Sequence, residues 1–270
     1  MVNPSPHRAR KRFGQHFLHD QNIIRKLLSA MNPQPSDRII EIGPGEGALT
    51  FPLLQRCKEL TAIELDRDLI ALLQKNSQPY GTLHLINSDV LQIDMSQLPL
   101  KAPYRVAGNL PYNISTPLMF HMLKFRELIQ DMHFMVQKEV AERIIAHPDQ
   151  PNRNSKHYGR LSVMMQYHCQ SEYLFDVPPG CFSPPPKVDS AIIRLIPYAK
   201  PPVTVNDMET FAALVQAAFN QRRKTISNSL KLFVDRTTML SLDIDPGSRA
   251  ENLGLQHFAQ LSNHSIKPAL

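Results

Sequence analysis

Five short apolar runs recur along the first half of the chain, at residues 38–42, 60–65, 83–87, 104–108 and 132–136, separated by polar-faced stretches. Each run has strand length and is bounded by turn residues. Helical spacing is expected over 48–56, 68–75, 115–123 and 138–147, and again over 21–31 with Asp20 as its N-cap. Strands alternating with helices favour a parallel sheet covered on both faces. The expected core is therefore an α/β, Rossmann-like doubly wound sheet. Such sheets bind ligands at the carboxyl ends of their strands, so the residues just after each run are where chemistry is sought.

Beyond residue 147 the pattern changes. A polar loop over 148–157 leads to an apolar helix over 161–168. Runs at 173–177 and 191–195 follow, joined by a proline-rich turn with no helix between them, and these should pair antiparallel at the sheet edge. Pro197, Pro201 and Pro202 then mark a linker. After it only helical spacing appears, carried by Phe211, Leu214, Val215, Ala218 and Phe219, then Ile226 and Leu230, then residues 253–261. Three parts are expected: a basic arm (1–20), the sheet domain (21–197) and a small all-α C-terminal domain (198–270).

Gly43, Gly45 and Gly47 follow the first strand and permit close approach of backbone to a ligand. Glu64 ends the second strand, about twenty residues on, where an acid in a dinucleotide-type fold receives ribose hydroxyls. That spacing suits either a nicotinamide cofactor or S-adenosylmethionine. Two details favour the second. The turn reads GxGxG and not GxGxxG, which suits a ligand without a pyrophosphate. Glu41, just before the turn, would repel a pyrophosphate but could accept from a ligand's ammonium end. Asp89, after the third strand, is placed to accept from an adenine amine, or else to cap a turn.

The fourth strand runs into Asn109-Leu110-Pro111-Tyr112. An amide, a carbonyl and a flat ring at one strand tip suit a planar base with an exocyclic amine: two oxygens accept its N–H groups and the ring stacks on its face. A plain strand-to-helix turn would use the same Asn and Pro. Phe182 is followed by Ser183 and three prolines that stiffen the backbone. It could close a sandwich on the base with Tyr112, or simply pack under the edge hairpin.

Charge points the same way. The net charge is +6, yet Arg8, Arg10, Lys11 and Arg12 cluster before the first acid at Asp20, and Arg222, Arg223 and Lys224 stand together. Concentrated cations favour a polyanionic partner over a uniformly basic surface. Three scattered cysteines without CxxC spacing, and eleven histidines without HxH or HxxxH pairs, offer neither a disulfide frame nor a metal site. No apolar run approaches the roughly 18 residues of a membrane span. The basic start lacks an apolar stretch after it, which argues against a secretory signal. A cytoplasmic protein is expected.

Gly14-Gln15-His16-Phe17-Leu18, Glu41-Ile42-Gly43-Pro44-Gly45, Glu64-Leu65-Asp66, Gly108 to Ile114, Tyr158 to Ser162, Phe182 to Ser190 and Phe219 to Lys224 together resemble the bacterial small-subunit rRNA adenine dimethyltransferase family. The resemblance spans nearly the whole chain. It implies transfer of methyl groups from S-adenosylmethionine to N6 of two adjacent adenosines near the 3′ end of small-subunit rRNA. It also implies a role in small-subunit biogenesis, with a pre-small ribosomal subunit as substrate. Cofactor contacts carried over by position fall on His16, Leu18, Gly43, Gly45, Glu64, Asp89 and Asn109. The family often has Asn where this chain has His16. Catalytic roles are expected for Asn109, Pro111, Tyr112 and Phe182, and RNA contacts for Arg10, Lys11, Arg12, Arg222, Arg223 and Lys224. A monomer without metal is expected.

On this reading the adenosine leaves its stack, Tyr112 and Phe182 grip it, and Asn109 Oδ1 with the Pro111 carbonyl accepts both N6–H bonds. The nitrogen lone pair is thereby aimed at the sulfonium methyl. Two other classes fit parts of the pattern. An NAD-linked oxidoreductase would leave the basic clusters and the Asn-Leu-Pro-Tyr turn without a role. A binding protein without chemistry would have no need of Asn109 and Glu64.

Overall fold

The computed structural model describes residues 15–148, 157–221 and 223–266. Its elements in chain order begin with β1 (Phe17–Leu18), α1 (Gln21–Met31), β2 (Ile39–Ile42), α2 (Thr50–Cys57), β3 (Glu59–Glu64), α3 (Arg67–Ser77) and β4 (Thr82–Asn87). There follow β5 (Tyr104–Asn109), α4 (Ser115–Leu123), β6 (Ile129–Gln137), α5 (Lys138–Ile145), α6 (Arg160–His168), β7 (Cys169–Val177), β8 (Phe182–Ser183) and β9 (Ser190–Pro197). The last four are α7 (Met208–Asn220), α8 (Ile226–Ser229), α9 (Arg236–Ser241) and α10 (Leu255–Asn263).

Seven strands form one sheet in the order β4-β3-β2-β5-β6-β9-β7. The pairs β4–β3, β3–β2, β2–β5 and β5–β6 are parallel, and β9 runs antiparallel to β6. All four residues of β2 are buried, as expected of a strand covered on both faces. Chain order moves from β2 outward through β3 to β4, then returns to the other side of β2 at β5. That reversal opens a crevice between the carboxyl ends of β2 and β5. The two strands approach closely there because residue 108 is glycine. A Cβ on Gly108 would lie 2.5 Å from the Ile42 carbonyl oxygen.

The chain groups into two compact units, one made of residues up to Ala141 with Glu172–Pro197, the other of Glu142–Ser171 with residues from Tyr198 on. Residues 142–171, expected in the sheet domain, thus cluster with the C-terminal helices. Their side chains give the reason: the Tyr167 ring lies 5.1 Å from that of Phe211, and Tyr158 meets Phe219 edge-on at 5.9 Å. Apolar spacing in the α6 sequence shows that it is buried, but not by what.

The first unit carries an ionic knot within the sheet. Arg105 of β5 donates to both carboxylate oxygens of Asp131 on β6 (2.8 and 2.9 Å), to Asp37 (2.8 Å) and to the Met31 carbonyl (2.7 Å). Arg194 of β9 reaches Asp131 at 3.4 Å. His133, two residues along β6, is fully buried, and neither ring nitrogen has a hydrogen-bond partner. Burial pushes its pKa down to about 4, the Asp131 charge opposing and the Arg105 and Arg194 charges assisting.

That pKa has a consequence for stability. Between pH 6.5 and 4 the unfolded chain binds a proton at His133 that the folded chain refuses, so stability falls as pH falls. The loss attributable to His133 should approach about 3 kcal/mol by pH 4. Urea unfolding of His133→Phe should show a correspondingly shallower acid dependence than the wild type. Equal dependence in the two proteins would remove His133 from the account.

Candidate active site

The site is built from strand ends and one strap. After β2 the chain turns through Gly45, whose φ of 58° lies in the left-handed region that glycine tolerates best. A Cβ there would also meet the Phe17 ring at 3.1 Å. The Gly45 N–H donates to Glu64 Oε2 (3.2 Å), and the Asp66 N–H donates to Glu64 Oε1 (2.9 Å). The carboxyl ending β3 is thus aimed back at the glycine turn. Burial raises its pKa, while these donors pull it down. Asn87, at the end of β4, donates to the carbonyls of Glu64 (2.8 Å) and Leu65 (3.2 Å) and pins the turn that carries the acid.

Glu41 lies within β2 itself. It is 2% exposed, and its Oε2 has no hydrogen-bond partner. Burial drives its pKa up to about 8; the Thr50 side chain lowers it and the nearby Glu64 charge raises it. A buried carboxyl with an unused oxygen is costly unless protonated or matched by a cation.

Asn109 closes β5. Its Nδ2 donates to the His16 carbonyl (2.9 Å). A carbonyl can accept only from the NH₂ side of the amide, so this bond sets the amide's orientation and leaves Oδ1 as the free acceptor. Residue 16 belongs to the strap: Phe17 pairs with Ser183 and Leu18 with Phe182, an antiparallel ladder joining β1 to β8. The His16 Nδ1 faces the Pro184 carbonyl at 2.7 Å and must donate to it, which fixes the tautomer of the neutral ring. The same ring stacks on Tyr112 at 5.5 Å. The Tyr112 hydroxyl in turn lies 2.7 Å from Ser190 Oγ. Burial raises the Tyr112 pKa and the Ser190 bond lowers it.

These groups surround one cavity of about 260 Å³. His16, Leu18, Gly43, Gly45, Glu64, Asp89, Asn109, Pro111 and Tyr112 all line it, as do Glu41 and Leu65. Asp89 also caps a short turn, its Oδ1 accepting from the Leu91 N–H at 3.0 Å. The Pro111 carbonyl, expected to be free, accepts from the Ile114 N–H at 3.1 Å. A carbonyl oxygen has two lone pairs, so one acceptor position remains.

Phe182 is placed apart from the other expected site residues. It is 2% exposed, belongs to the apolar cluster with Leu18, Leu27 and Cys181, and does not line the cavity. The pairing that seats the strap turns its ring into the core. There it packs beside Leu18 of the strap. Arg223 and Lys224 lie exposed in the turn after α7. Arg10, Lys11, Arg12 and Arg222 fall outside the described residues. Among the described residues no group of three or more His, Cys, Asp or Glu could hold a metal ion, and no helix is long and apolar enough to cross a membrane.

Sequence reasoning passed over Ser190, Asn87 and the His16 carbonyl. Ser190 lay within a quoted motif, but its tie to residue 112 had no local signal.

The chain is similar to known proteins in sequence and in fold. The family model described as ribosomal RNA adenine dimethylase matches residues 6–267. Ribosomal RNA small subunit methyltransferase A of Acinetobacter baylyi is 51% identical over 268 residues, covering 98% of this chain and 96% of the relative. That of Alcanivorax borkumensis is 50% identical, covering 97% and 92%. Among solved structures, a dimethyladenosine transferase from Plasmodium falciparum is similar with a TM-score of 0.77 at 27% identity, covering 91% of this chain and 96% of its own. The 23S rRNA methyltransferase ErmE is similar with a TM-score of 0.70 at 26% identity, covering 91% and 98%.

Proposed function

The chain belongs to the ribosomal RNA adenine dimethylase family, and from that premise we propose how its own residues carry out the family's reaction. The reaction is S-adenosylmethionine-dependent dimethylation of N6 on two adjacent adenosines near the 3′ end of small-subunit rRNA, in the course of small-subunit biogenesis in the cytoplasm.

The cavity fits the methyl donor on chemical grounds. Glu41 presents a buried oxygen without a partner, which suits a cationic ligand. Glu64, braced by two backbone N–H groups, suits ribose hydroxyls, and Asp89 with the exposed Leu65 suits an adenine. The bound donor supplies an electrophilic methyl on a sulfonium centre. Everything else falls to the protein. Asn109 Oδ1 and the remaining lone pair of the Pro111 carbonyl accept the two N6–H bonds. That holds the amine with its lone pair directed across the crevice. Tyr112 offers a face to the extruded base, a stack worth roughly 1–3 kcal/mol. No residue need act as a base before attack, because the cationic product loses its proton readily to water. After the first transfer one N–H is gone, so the amine turns to present its lone pair again.

The observation that carries this reading is the orientation of the Asn109 amide, with Nδ2 committed to His16 and Oδ1 left free. The direct test is incubation with S-adenosylmethionine and undermethylated small subunits, followed by mass spectrometry of nucleosides. N6,N6-dimethyladenosine should appear; its absence under conditions where the donor binds would refute the assignment.

Arg223 and Lys224, exposed beside Arg222, support a phosphate-binding role for the C-terminal residues. Neutralising Arg223 and Lys224 should weaken binding to the subunit. It should also flatten the dependence of log K on log salt by roughly 0.7–0.9 for each phosphate that is no longer neutralised. Filter binding across a salt series checks this, and an unchanged slope would make these cations mere solvated surface.

A further inference from the structure

Tyr112 lines the cavity and is the ring on which the base is proposed to stack. Two neighbours hold it. One is the His16 ring against one face at 5.5 Å, itself fixed by the Pro184 carbonyl at 2.7 Å. The other is at the tip, where the phenol oxygen meets Ser190 Oγ at 2.7 Å. Ser190 is fully buried at the head of β9, in register with Gln137 of β6. It lies behind the cavity wall and does not line the cavity. Its backbone is held by the sheet ladder, so its hydroxyl is a fixed point. An aromatic ring has two side-chain torsions; the stack from His16 and the bond from Ser190 restrain both. Tyr112 so held lines the cavity.

We propose that Ser190 is a positioning residue for the methyl acceptor: its buried hydroxyl anchors the Tyr112 phenol and so fixes the plane on which the extruded adenine stacks. This rests on the assignment of Tyr112 as the stacking surface. Preorganising a surface lowers the ordering cost that the acceptor would otherwise meet in reaching its reactive pose. The effect belongs in turnover of the RNA substrate and not in binding of the methyl donor.

The test is a double-mutant cycle with Ser190→Ala and Tyr112→Phe, each of which removes the same hydrogen bond from one side. Rates are measured on undermethylated small subunits, donor affinity by calorimetry, and thermal midpoints on the ligand-free proteins. Each single variant should lose about fivefold in kcat, the worth of one ordinary hydrogen bond. The double variant should lose no more than either single one, with donor Kd unchanged in all three. Losses that multiply in the double variant overturn the proposal. So does a Ser190→Ala protein with a lowered thermal midpoint and wild-type kcat, which is what a merely structural serine would give. If Ser190→Ala fails to fold, Tyr112→Phe alone decides: wild-type kcat there overturns the proposal. Tyr112→Ala separates the two levels. Wild-type turnover in that variant would sink the stacking assignment itself, whereas collapse in Tyr112→Ala beside wild-type Ser190→Ala and Tyr112→Phe would sink only the role of Ser190.

Discussion

Asn109→Ala should bind S-adenosylmethionine with nearly wild-type affinity and lose about 10²–10³ in kcat, the range for deleting one preorganised polar group that acts on the reacting centre. The reason is the division of labour within the side chain. Nδ2 is spent on the His16 carbonyl at 2.9 Å, which leaves a single oxygen to orient the acceptor amine. Alanine removes that oxygen from the tip of β5. A second consequence accompanies the first: the strap loses its tie to β5, so amides at residues 16–18 should exchange faster with solvent. Single-turnover methylation and calorimetry check the first part, and hydrogen exchange the second. Turnover within a few-fold of wild type would show that the amine is oriented by something other than Asn109.

Glu41→Gln should have opposite effects on stability and on ligand binding. In the ligand-free protein Glu41 has its pKa raised to about 8 by burial. The sign is set by where the proton sits. Between pH 4.5 and 8 the folded chain keeps a proton that the unfolded chain releases, so stability is full below pH 4.5 and declines as pH rises through 8. The decline should reach about 4 kcal/mol by pH 8. Glutamine is neutral throughout, so the variant should unfold at a higher denaturant concentration than wild type at pH 8, with the difference vanishing near pH 4.5. The same change removes the negative charge available to a cationic ligand and replaces one of the two acceptor oxygens with an NH₂ donor. A hydrogen bond to a charged group is worth about 1.5–3 kcal/mol, so donor affinity should weaken roughly 10- to 100-fold. Calorimetry in buffers of different ionisation enthalpy should also show wild-type Glu41 releasing a proton on binding, a release missing from the variant. Unchanged affinity would mean that Glu41 does not meet the donor's cationic end.

Both predictions concern side chains with an oxygen left without a hydrogen-bond partner at the cavity, Asn109 Oδ1 and Glu41 Oε2. His133 is different. It is also buried and neither ring nitrogen has a hydrogen-bond partner, but its Nδ1 faces Asp131 at 3.8 Å, and it sits within the β6 ladder opposite Ala107 and outside the cavity lining.

How far the chain could be read depended on the range of the interaction. The strands, the doubly wound sheet, the glycine turn and the positions of Glu64 and Asn109 were all legible, because strand length, helical spacing and turn chemistry are properties of neighbouring residues. The resemblance to rRNA adenine dimethyltransferases was legible for the same reason, its motifs being contiguous runs. What no local pattern could decide was which way a side chain faces once distant segments meet. Phe182 looks the same in sequence whether it faces a base or the core; the pairing of Leu18 with Phe182 turns it inward. Residues 142–171 look like a continuation of the sheet domain until Tyr158 and Tyr167 find Phe219 and Phe211. The Asn109 amide can point either way until the His16 carbonyl, 93 residues away, accepts from one end of it. Local sequence thus determined which chemical groups stand at the strand tips, while long-range packing alone decided which of their atoms remain available, because hydrogen bonds and buried faces are settled between segments that sequence proximity does not relate.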